Sequence, residues 1–149
     1  MKNYKRLSDE VLRKKLNEIS YKVTRQNATE KPFRSPYNKN FADGLYVDIA
    51  SGEPLFLSKD KFDSGCGWPA FSNTVDDEAV REFADNSFGI ERVEVRSRYA
   101  NSHLGHVFED GPKEFGGRRF CINGAALKFI PKENLERLGY AEFLKYFKS

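Results

Sequence analysis

Short apolar segments separated by glycine- and proline-containing turns fill the chain between residues 44 and 131, and this pattern constrains the fold most. Residues 44–50 alternate as a strand, residues 51–54 carry a turn signal, and residues 55–57 continue as the second arm of a hairpin. Residues 88–99 show the clearest strand pattern. Because strands and helices do not alternate along the chain, we expect an antiparallel β core with peripheral helices, a mainly β (α+β) fold.

Helical patterns lie on both sides of this β core. Residues 7 to about 26 are predicted as one helix, since Ser8 can cap its start and apolar residues recur at helical spacing. The apolar stripe consists of Leu12, Leu16, Ile19 and Val23. Shorter helical segments are predicted at residues 76–83, 132–137 and 141–147. No repeat or linker interrupts the pattern, so we expect a single domain over residues 1–149.

The charges of the 149-residue chain are nearly balanced, with 25 basic against 22 acidic residues and a formal net charge of +3. This balance does not indicate a nucleic-acid-binding protein. No apolar run is long enough to span a bilayer, and the charged N-terminus lacks a signal-peptide pattern. Thirteen phenylalanines and seven tyrosines favour a β-rich core. We therefore expect a cytoplasmic protein that binds neither nucleic acid nor membranes.

Chemically reactive residue types are concentrated in one part of the sequence. Both cysteines, both histidines and the single tryptophan lie between Cys66 and Cys121. Cys66 and Trp68 belong to a segment whose glycines and proline forbid regular structure, which gives a flexible loop that carries a thiol. Reactive side chains gathered in segments of loop character indicate a functional site.

Cys121 lies in a short predicted strand over residues 118–124. Because side chains alternate along a strand, Phe120 and Ile122 should point into the core. Arg119, Cys121 and Asn123 should then share the other face, where the guanidinium favours the nucleophilic thiolate. Considered without its context, a cysteine in a strand more often serves as buried packing.

Three interpretations of the reactive residues compete. A zinc site fits poorly, because the two cysteines lie 121 − 66 = 55 positions apart, whereas structural zinc usually takes thiolates from close pairs. Thiol redox catalysis would use Cys121 as nucleophile, Cys66 as resolving thiol and an imidazole as proton donor. A β-rich interaction module with incidental cysteines is the third. In each, the expected core residues are Phe108, Phe120 and Leu127.

Three segments in order resemble the signature set of the peptide-methionine (R)-S-oxide reductases, the B-type methionine sulfoxide reductases. They are SGCGWPAF at 64–71, HLGHVFEDGP at 103–112 and RFCIN at 119–123. The resemblance extends from about residue 8 to residue 131. It implies a fold of two antiparallel sheets with N-terminal helices packed alongside, and an enzyme that reduces the R epimer of methionine sulfoxide, mainly in proteins, as repair of oxidative damage.

The resemblance also implies a role for each residue of the site. Cys121 matches the catalytic nucleophile, Cys66 the resolving cysteine, and Trp68 the residue that houses the S-methyl group. Arg119 matches the basic residue that favours the Cys121 thiolate. The remaining positions match groups that bind the substrate, support the site or assist protonation of the sulfoxide oxygen, and they are His103, His106, Phe108, Asp110 and Asn123.

The implied cycle passes through a Cys121 sulfenic acid and a Cys66–Cys121 disulfide that thioredoxin reduces, in a monomer without any cofactor. Many family members also hold zinc with two pairs of cysteines. The matching positions are Asp48, Ser51, Ser97 and Ala100, so we expect no zinc. Asp48 and Ser51 either hydrogen-bond there or lie at the surface. A redox sensor that forms the disulfide without turnover, and a zinc-binding structural module, stay open as alternatives.

Overall fold

Two short α-helices precede the β core. The structure, a computed structural model, describes Tyr4 and residues 7–147, with only the backbone at Phe88. Helix α1 spans Asp9–Lys15 and helix α2 spans Glu18–Gln26. Among these residues, every helix is too short or too polar to traverse a lipid bilayer.

Asn17 divides the N-terminal helical segment, so the single helix predicted from the sequence is wrong. Leu16 has an extended backbone, and the Asn17 side chain accepts a hydrogen bond of 2.8 Å from the Ser20 N–H. This bond satisfies an otherwise unpaired N–H group in the first turn of α2. The predicted cap at Ser8 is confirmed, because its hydroxyl accepts from the N–H of Val11 in α1.

The helix break also changes which residues of the apolar stripe are buried. Leu12, Leu16 and Val23 are buried as predicted, whereas Ile19 is 43% exposed. Asn17 interrupts the helical phase between Leu16 and Ile19, so the stripe does not run straight through both helices. The buried residues of α2 are Ser20, Tyr21, Val23 and Thr24.

Nine strands within the described residues form two antiparallel sheets, as the sequence predicts. The strands are β1 (Gly44–Asp48), β2 (Pro54–Leu57), β3 (Lys61–Phe62), β4 (Ala70–Phe71), β5 (Val80–Asp85), β6 (Arg92–Ser97), β7 (His103–Phe108), β8 (Arg119–Ile122) and β9 (Leu127–Pro131). The smaller sheet has the order β2-β1-β9, and the larger one has the order β3-β4-β8-β7-β6-β5. Strand β8 therefore lies inside the larger sheet, hydrogen-bonded on both sides.

Aromatic side chains from both sheets form the centre of the core. Phe56 of the smaller sheet stacks on Phe71 of the larger one with 4.3 Å between ring centroids, and it lies 5.9 Å from Phe120. Phe120 and Leu127 are buried at 3% and 1% exposure, which confirms their prediction as core residues. This close packing holds the core-facing side of β8 in place, so only the opposite side of the strand can contribute to a functional site. The core prediction for Phe108 is wrong: its ring is only partly buried, because it lies under the Arg119 guanidinium rather than between the sheets.

The chain changes sheets directly after β8. The sequence predicts that residues 125–130 extend this strand, but a short 3-10 turn at Gly124–Ala126 separates β8 from β9. The Ala126 N–H donates to the Asn123 carbonyl and closes the turn. The apolar residues of β9 follow those of β8 so closely in the sequence that they conceal the turn, although β9 belongs to the smaller sheet.

Three other predicted segments differ from the structure. The helical turn predicted over residues 76–83 is wrong from Val80 onward. Strand β5 begins there, because pairing with β6 overrides the local helical propensity. The strand predicted over residues 88–99 is limited to β6, since Ser87–Gly89 form a short 3-10 turn in which Gly89 has a φ of 70°. The C-terminal helices are 3-10 rather than α-helical, and they span Lys132–Asn134 and Ala141–Phe147.

Candidate active site

Strand β8 presents its thiol on the face opposite to the core. Phe120 and Ile122 are buried, while Arg119 and Cys121 are partly exposed, so the predicted alternation is confirmed. In the sheet, Cys121 lies between Ala70 of β4 and His106 of β7. The cysteine is therefore not packing in the core between the sheets.

A loop between β3 and β4 brings the second thiol onto Cys121. The Cys66 sulfur lies 3.1 Å from the Cys121 sulfur, although 55 positions separate them in the sequence. Both cysteines are free, and a disulfide length of about 2.05 Å requires an approach of only about 1 Å more. Gly65 and Gly67 flank Cys66 with φ angles of 74° and 94°, a backbone region that favours glycine.

The contact between the sulfurs separates the pKa values of the two thiols. The hydrogen bond with Cys121 lowers the pKa of Cys66 to about 5, with the Ser64 hydroxyl and Arg119 acting in the same direction. The same contact, together with burial, raises the pKa of Cys121, while Arg119 lowers it. While the sulfurs touch, the pair is poised to hold one negative charge, mainly on Cys66.

Arg119 is held in place from two sides. Its guanidinium donates to both carboxylate oxygens of Asp110, at 2.9 and 3.2 Å, and its central carbon lies 4.5 Å from the centroid of the Phe108 ring. The bond to Arg119 lowers the pKa of Asp110. A guanidinium fixed in this way supplies a stable positive charge beside both thiols.

A cavity of about 100 Å³ opens beside Cys121. Its lining residues are Thr29, Trp68, Arg92, Gly105, His106, Phe108, Cys121 and Asn123. At about 30 Å³ for each water-sized group, the cavity can hold a small polar headgroup and one methyl group. A larger cavity of about 570 Å³ lies near α2, but the described residues that line it include no cysteine or histidine. The smaller cavity is therefore the candidate site.

A bulge in β7 brings both histidines to the same face of the sheet. Residues three apart on a regular strand point to opposite faces, yet His103 opposes Arg96 and Gly105 opposes Val95, so Leu104 is an extra residue. The two imidazole rings lie 5.8 Å apart as a result. Gly105 is required for close approach of the strands, because a Cβ atom there would lie 2.1 Å from the Cys121 carbonyl oxygen.

Each histidine contacts a carboxylate from another strand of the same sheet, His103 one from β6 and His106 one from β5. His103 Nδ1 lies 2.6 Å from Glu94 and His106 Nε2 lies 2.7 Å from Asp85. Burial lowers the pKa of His103, against the opposing effect of Glu94. Hydrogen bonds from Ser87 and then from His106 hold the pKa of Asp85 below its usual range. The two histidines thus differ: His106 lines the cavity, whereas His103 is buried behind it.

A comparison with known protein families shows the family to which the chain belongs. The model of the SelR domain, the methionine-R-sulfoxide reductase domain, matches residues 16–131, more than half of the 149 residues. The chain belongs to the methionine-R-sulfoxide reductase family. It is therefore an oxidoreductase of the peptide-methionine (R)-S-oxide reductase type, which confirms the resemblance given by the three sequence motifs. Every residue predicted for the site lies within the matched segment.

The structure brings together the site residues predicted by this family resemblance, and adds several that the sequence did not single out. Trp68, His106 and Asn123 line the cavity with Cys121, while Cys66, His103, Arg119 and Asp110 lie beside it. The additional residues are Thr29, Glu30, Asp85, Arg92, Glu94 and Gly105. Arg92 and Glu94 lie two apart on a predicted strand, so the sequence places them on one face, but only the pairing of β6 with β7 brings that face to the site.

The four positions that match zinc ligands in the reductase family do not fit a metal here. Ala100 has no donor atom, and Asp48 offers the only carboxylate of the four, fully buried rather than at the surface. Asp48 accepts from the Ala50 N–H at 2.7 Å, and burial raises the pKa of its carboxyl group. Zinc sites need several thiolate or imidazole ligands, which these positions lack.

Hydrogen bonds join the two turns that these positions occupy. Glu53, 2% exposed, accepts from the N–H groups of Tyr99 and Ala100, both at 2.9 Å, and from the Ser51 hydroxyl at 2.7 Å. Ser97 accepts from the Ser102 N–H at 2.9 Å. A buried carboxylate that binds two backbone N–H groups thus links the β1–β2 turn to the β6–β7 turn.

Proposed function

We propose that Cys121 is the nucleophile that reduces the R epimer of methionine sulfoxide in oxidised proteins, and that Cys66 resolves the product. The observation that carries the proposal is the 3.1 Å separation of the two sulfurs at the edge of a cavity lined by an indole and an imidazole. One thiol faces the substrate space, and the other comes from a loop bent at two glycines. This is the arrangement that a two-thiol reductase needs.

The first step transfers the sulfoxide oxygen to Cys121. The Cys121 thiolate attacks the substrate sulfur, the oxygen is protonated, and methionine leaves while Cys121 becomes a sulfenic acid. The substrate sulfur gains two electrons and the cysteine sulfur loses two. Because contact with Cys66 raises the pKa of Cys121, the Cys121 thiolate forms more readily once the two sulfurs are apart, and Arg119 then favours it. The Trp68 ring provides an apolar wall for the methyl group.

The second step closes the cycle. Cys66 attacks the sulfenic sulfur, a disulfide forms, and the oxygen leaves as water with the proton supplied at the site. Thioredoxin, a dithiol protein, then reduces the disulfide by exchange. The exposed residues Asp63, Ser64 and Gly65 next to Cys66 favour attack from outside at that sulfur. The proposal places this cycle in the cytoplasm, where free thiols are maintained, and in a monomer that works without zinc or an organic cofactor.

His106 is the proposed proton donor to the sulfoxide oxygen. It lines the cavity opposite Cys121 in the sheet, and Asp85 holds its imidazole at 2.7 Å. His103 contacts the edge of the His106 ring and is 3% exposed. His103 therefore supports the orientation of His106 rather than contacting substrate.

Replacing His106 by asparagine should slow methionine formation more than replacing His103 does. Loss of a general acid typically costs about 10²- to 10⁴-fold in rate, whereas loss of a supporting ring costs less. Single-turnover rates of methionine release, measured over a range of pH with both variants, separate the two roles. A larger rate loss in His103→Asn than in His106→Asn, at equal thermal stability, would assign the proton to His103 instead.

The reduced wild-type protein should convert one equivalent of substrate without any reductant. With excess methionine-R-sulfoxide, we expect one methionine per chain, loss of both free thiols and the mass change of one disulfide between Cys66 and Cys121. The S epimer should give none of these. Methionine release and thiol titration in the same sample check the result. Oxidation of the thiols by peroxide with no methionine released from either epimer would indicate a redox sensor instead.

A further inference from the structure

Glu30 contacts two walls of the cavity through its backbone. Its N–H donates to the side-chain oxygen of Asn123 at 2.9 Å, and its carbonyl accepts from the indole N–H of Trp68 at 3.0 Å. The residue is 6% exposed and lies in an irregular segment between α2 and β1. The orientation of two cavity side chains thus depends on where this one residue is held.

The Glu30 carboxylate contacts the turn that follows the Cys121 strand. One oxygen accepts from the Gly124 N–H at 2.8 Å and the other accepts from the Ala125 N–H at 2.7 Å. These amides begin the short turn between β8 and β9, where no earlier turn supplies them with acceptors. Burial raises the pKa of Glu30, whereas the hydrogen bonds from the two amides lower it. In its ionised form the carboxylate satisfies both amides, and such charge-assisted bonds are the stronger kind.

The segment around Glu30 has few other fixed points. Asn27 ends α2 in the left-handed region with a φ of 58°, and no helix or strand includes residues 27–35. Phe33, also at a positive φ of 64°, donates its N–H to the Gly67 carbonyl at 2.7 Å. This segment therefore connects the Cys66 loop to the end of β8, and the Glu30 carboxylate is the charged contact on the β8 side.

We propose that Glu30 is a positioning residue for substrate binding. Its carboxylate holds the segment against the turn after Cys121, and its backbone then aligns Trp68 and Asn123 toward the bound sulfoxide. The inference rests on the proposed function, since the alignment affects catalysis only if these two side chains contact substrate. Glu30 itself does not line the cavity, so its effect passes through Trp68 and Asn123.

Glutamine at position 30 tests the proposal because it keeps the size of the side chain but can accept from only one of the two amides. Its NH₂ group then faces the other backbone N–H, and two donors cannot form a hydrogen bond with each other. We expect the KM for methionine-R-sulfoxide to rise about tenfold, the effect of losing one such hydrogen bond. The single-turnover rate at saturating substrate should change much less. Dithiothreitol serves as reductant, so that thioredoxin recycling does not enter the measurement.

Glu53 offers a matched control. It is a buried carboxylate that also accepts from two consecutive backbone N–H groups, but it does not line the cavity, and its hydrogen bonds go to the turns after β1 and β6 rather than to Trp68 or Asn123. Glu53→Gln should lower the melting temperature by an amount similar to Glu30→Gln and leave KM unchanged. Because the chain has a single tryptophan, its emission reports on Trp68 directly. Emission and acrylamide quenching should change in Glu30→Gln and stay as in wild type in Glu53→Gln.

The proposal fails if Glu30→Gln keeps the wild-type KM and the wild-type Trp68 emission, or if Glu53→Gln changes both to the same extent. If Glu30→Gln does not fold, the same measurements of KM and Trp68 emission are made on Glu30→Asp. The shorter carboxylate of aspartate keeps its charge but cannot reach both amides. Failure of the proposed function has a different signature: the wild-type protein would then form no Cys66–Cys121 disulfide with substrate, while the Trp68 spectra would still report on Glu30.

Discussion

Replacing Cys121 by serine should abolish reduction of methionine-R-sulfoxide with thioredoxin and with small thiols alike. A serine hydroxyl is not ionised near neutral pH and cannot accept the sulfoxide oxygen in a sulfenic acid. Because no other thiol faces the cavity in the described residues, nothing substitutes for the lost nucleophile. We expect a rate loss of at least about a thousandfold, in the range that removal of a covalent nucleophile causes in other enzymes.

The measurement is methionine release from the R epimer with excess dithiothreitol, which bypasses the need for Cys66. Serine is nearly isosteric with cysteine and Cys121 lies on the partly exposed face of β8, so the fold should survive, as melting temperature and circular dichroism can check. Activity within a few-fold of wild type in a folded Cys121→Ser protein would contradict the assignment of the nucleophile. It would require a chemistry centred on Cys66.

The residues of β8 illustrate what the sequence could predict. Alternation places Phe120 and Ile122 in the core and Cys121 on the other face, and a period of two needs no tertiary information. Three motifs in order predicted the family, and the family match confirms it. The turn at Gly124–Ala126 was missed, because local apolarity cannot tell a strand from a change of sheet.

Other features depend on contacts between residues far apart in the sequence. The spacing of His103 and His106 predicts opposite faces on a regular strand, and only the extra residue in β7 brings them together. Glu30 carries no motif of its own; its importance follows from hydrogen bonds to residues more than 90 positions away. Asn17 is a good cap, but an uninterrupted stripe of apolar residues suggested a single helix. Contacts between distant residues thus decided the first two features, whereas the helix break follows from the local Asn17 cap, whose signal the apolar stripe outweighed.

Replacing Cys66 by serine should separate the chemistry from its recycling. Cys121 remains able to take the sulfoxide oxygen, so one methionine per chain should form in a single turnover. The cycle then stops at the sulfenic acid, because no thiol lies within reach to displace its oxygen. Turnover driven by thioredoxin should fall by at least about a hundredfold, whereas a small thiol that enters the cavity should sustain it.

The same variant also tests the electrostatic coupling of the two sulfurs. In wild type the contact with Cys66 raises the pKa of Cys121, whereas serine at position 66 removes both a competing thiolate and its negative charge. Arg119 and burial then determine the pKa of Cys121, so its thiolate should form at lower pH than in wild type. Alkylation of Cys121 as a function of pH should show this downward shift. An unchanged alkylation profile would mean that the sulfurs are not in contact in solution, and full thioredoxin turnover would mean that Cys66 is not the resolving thiol.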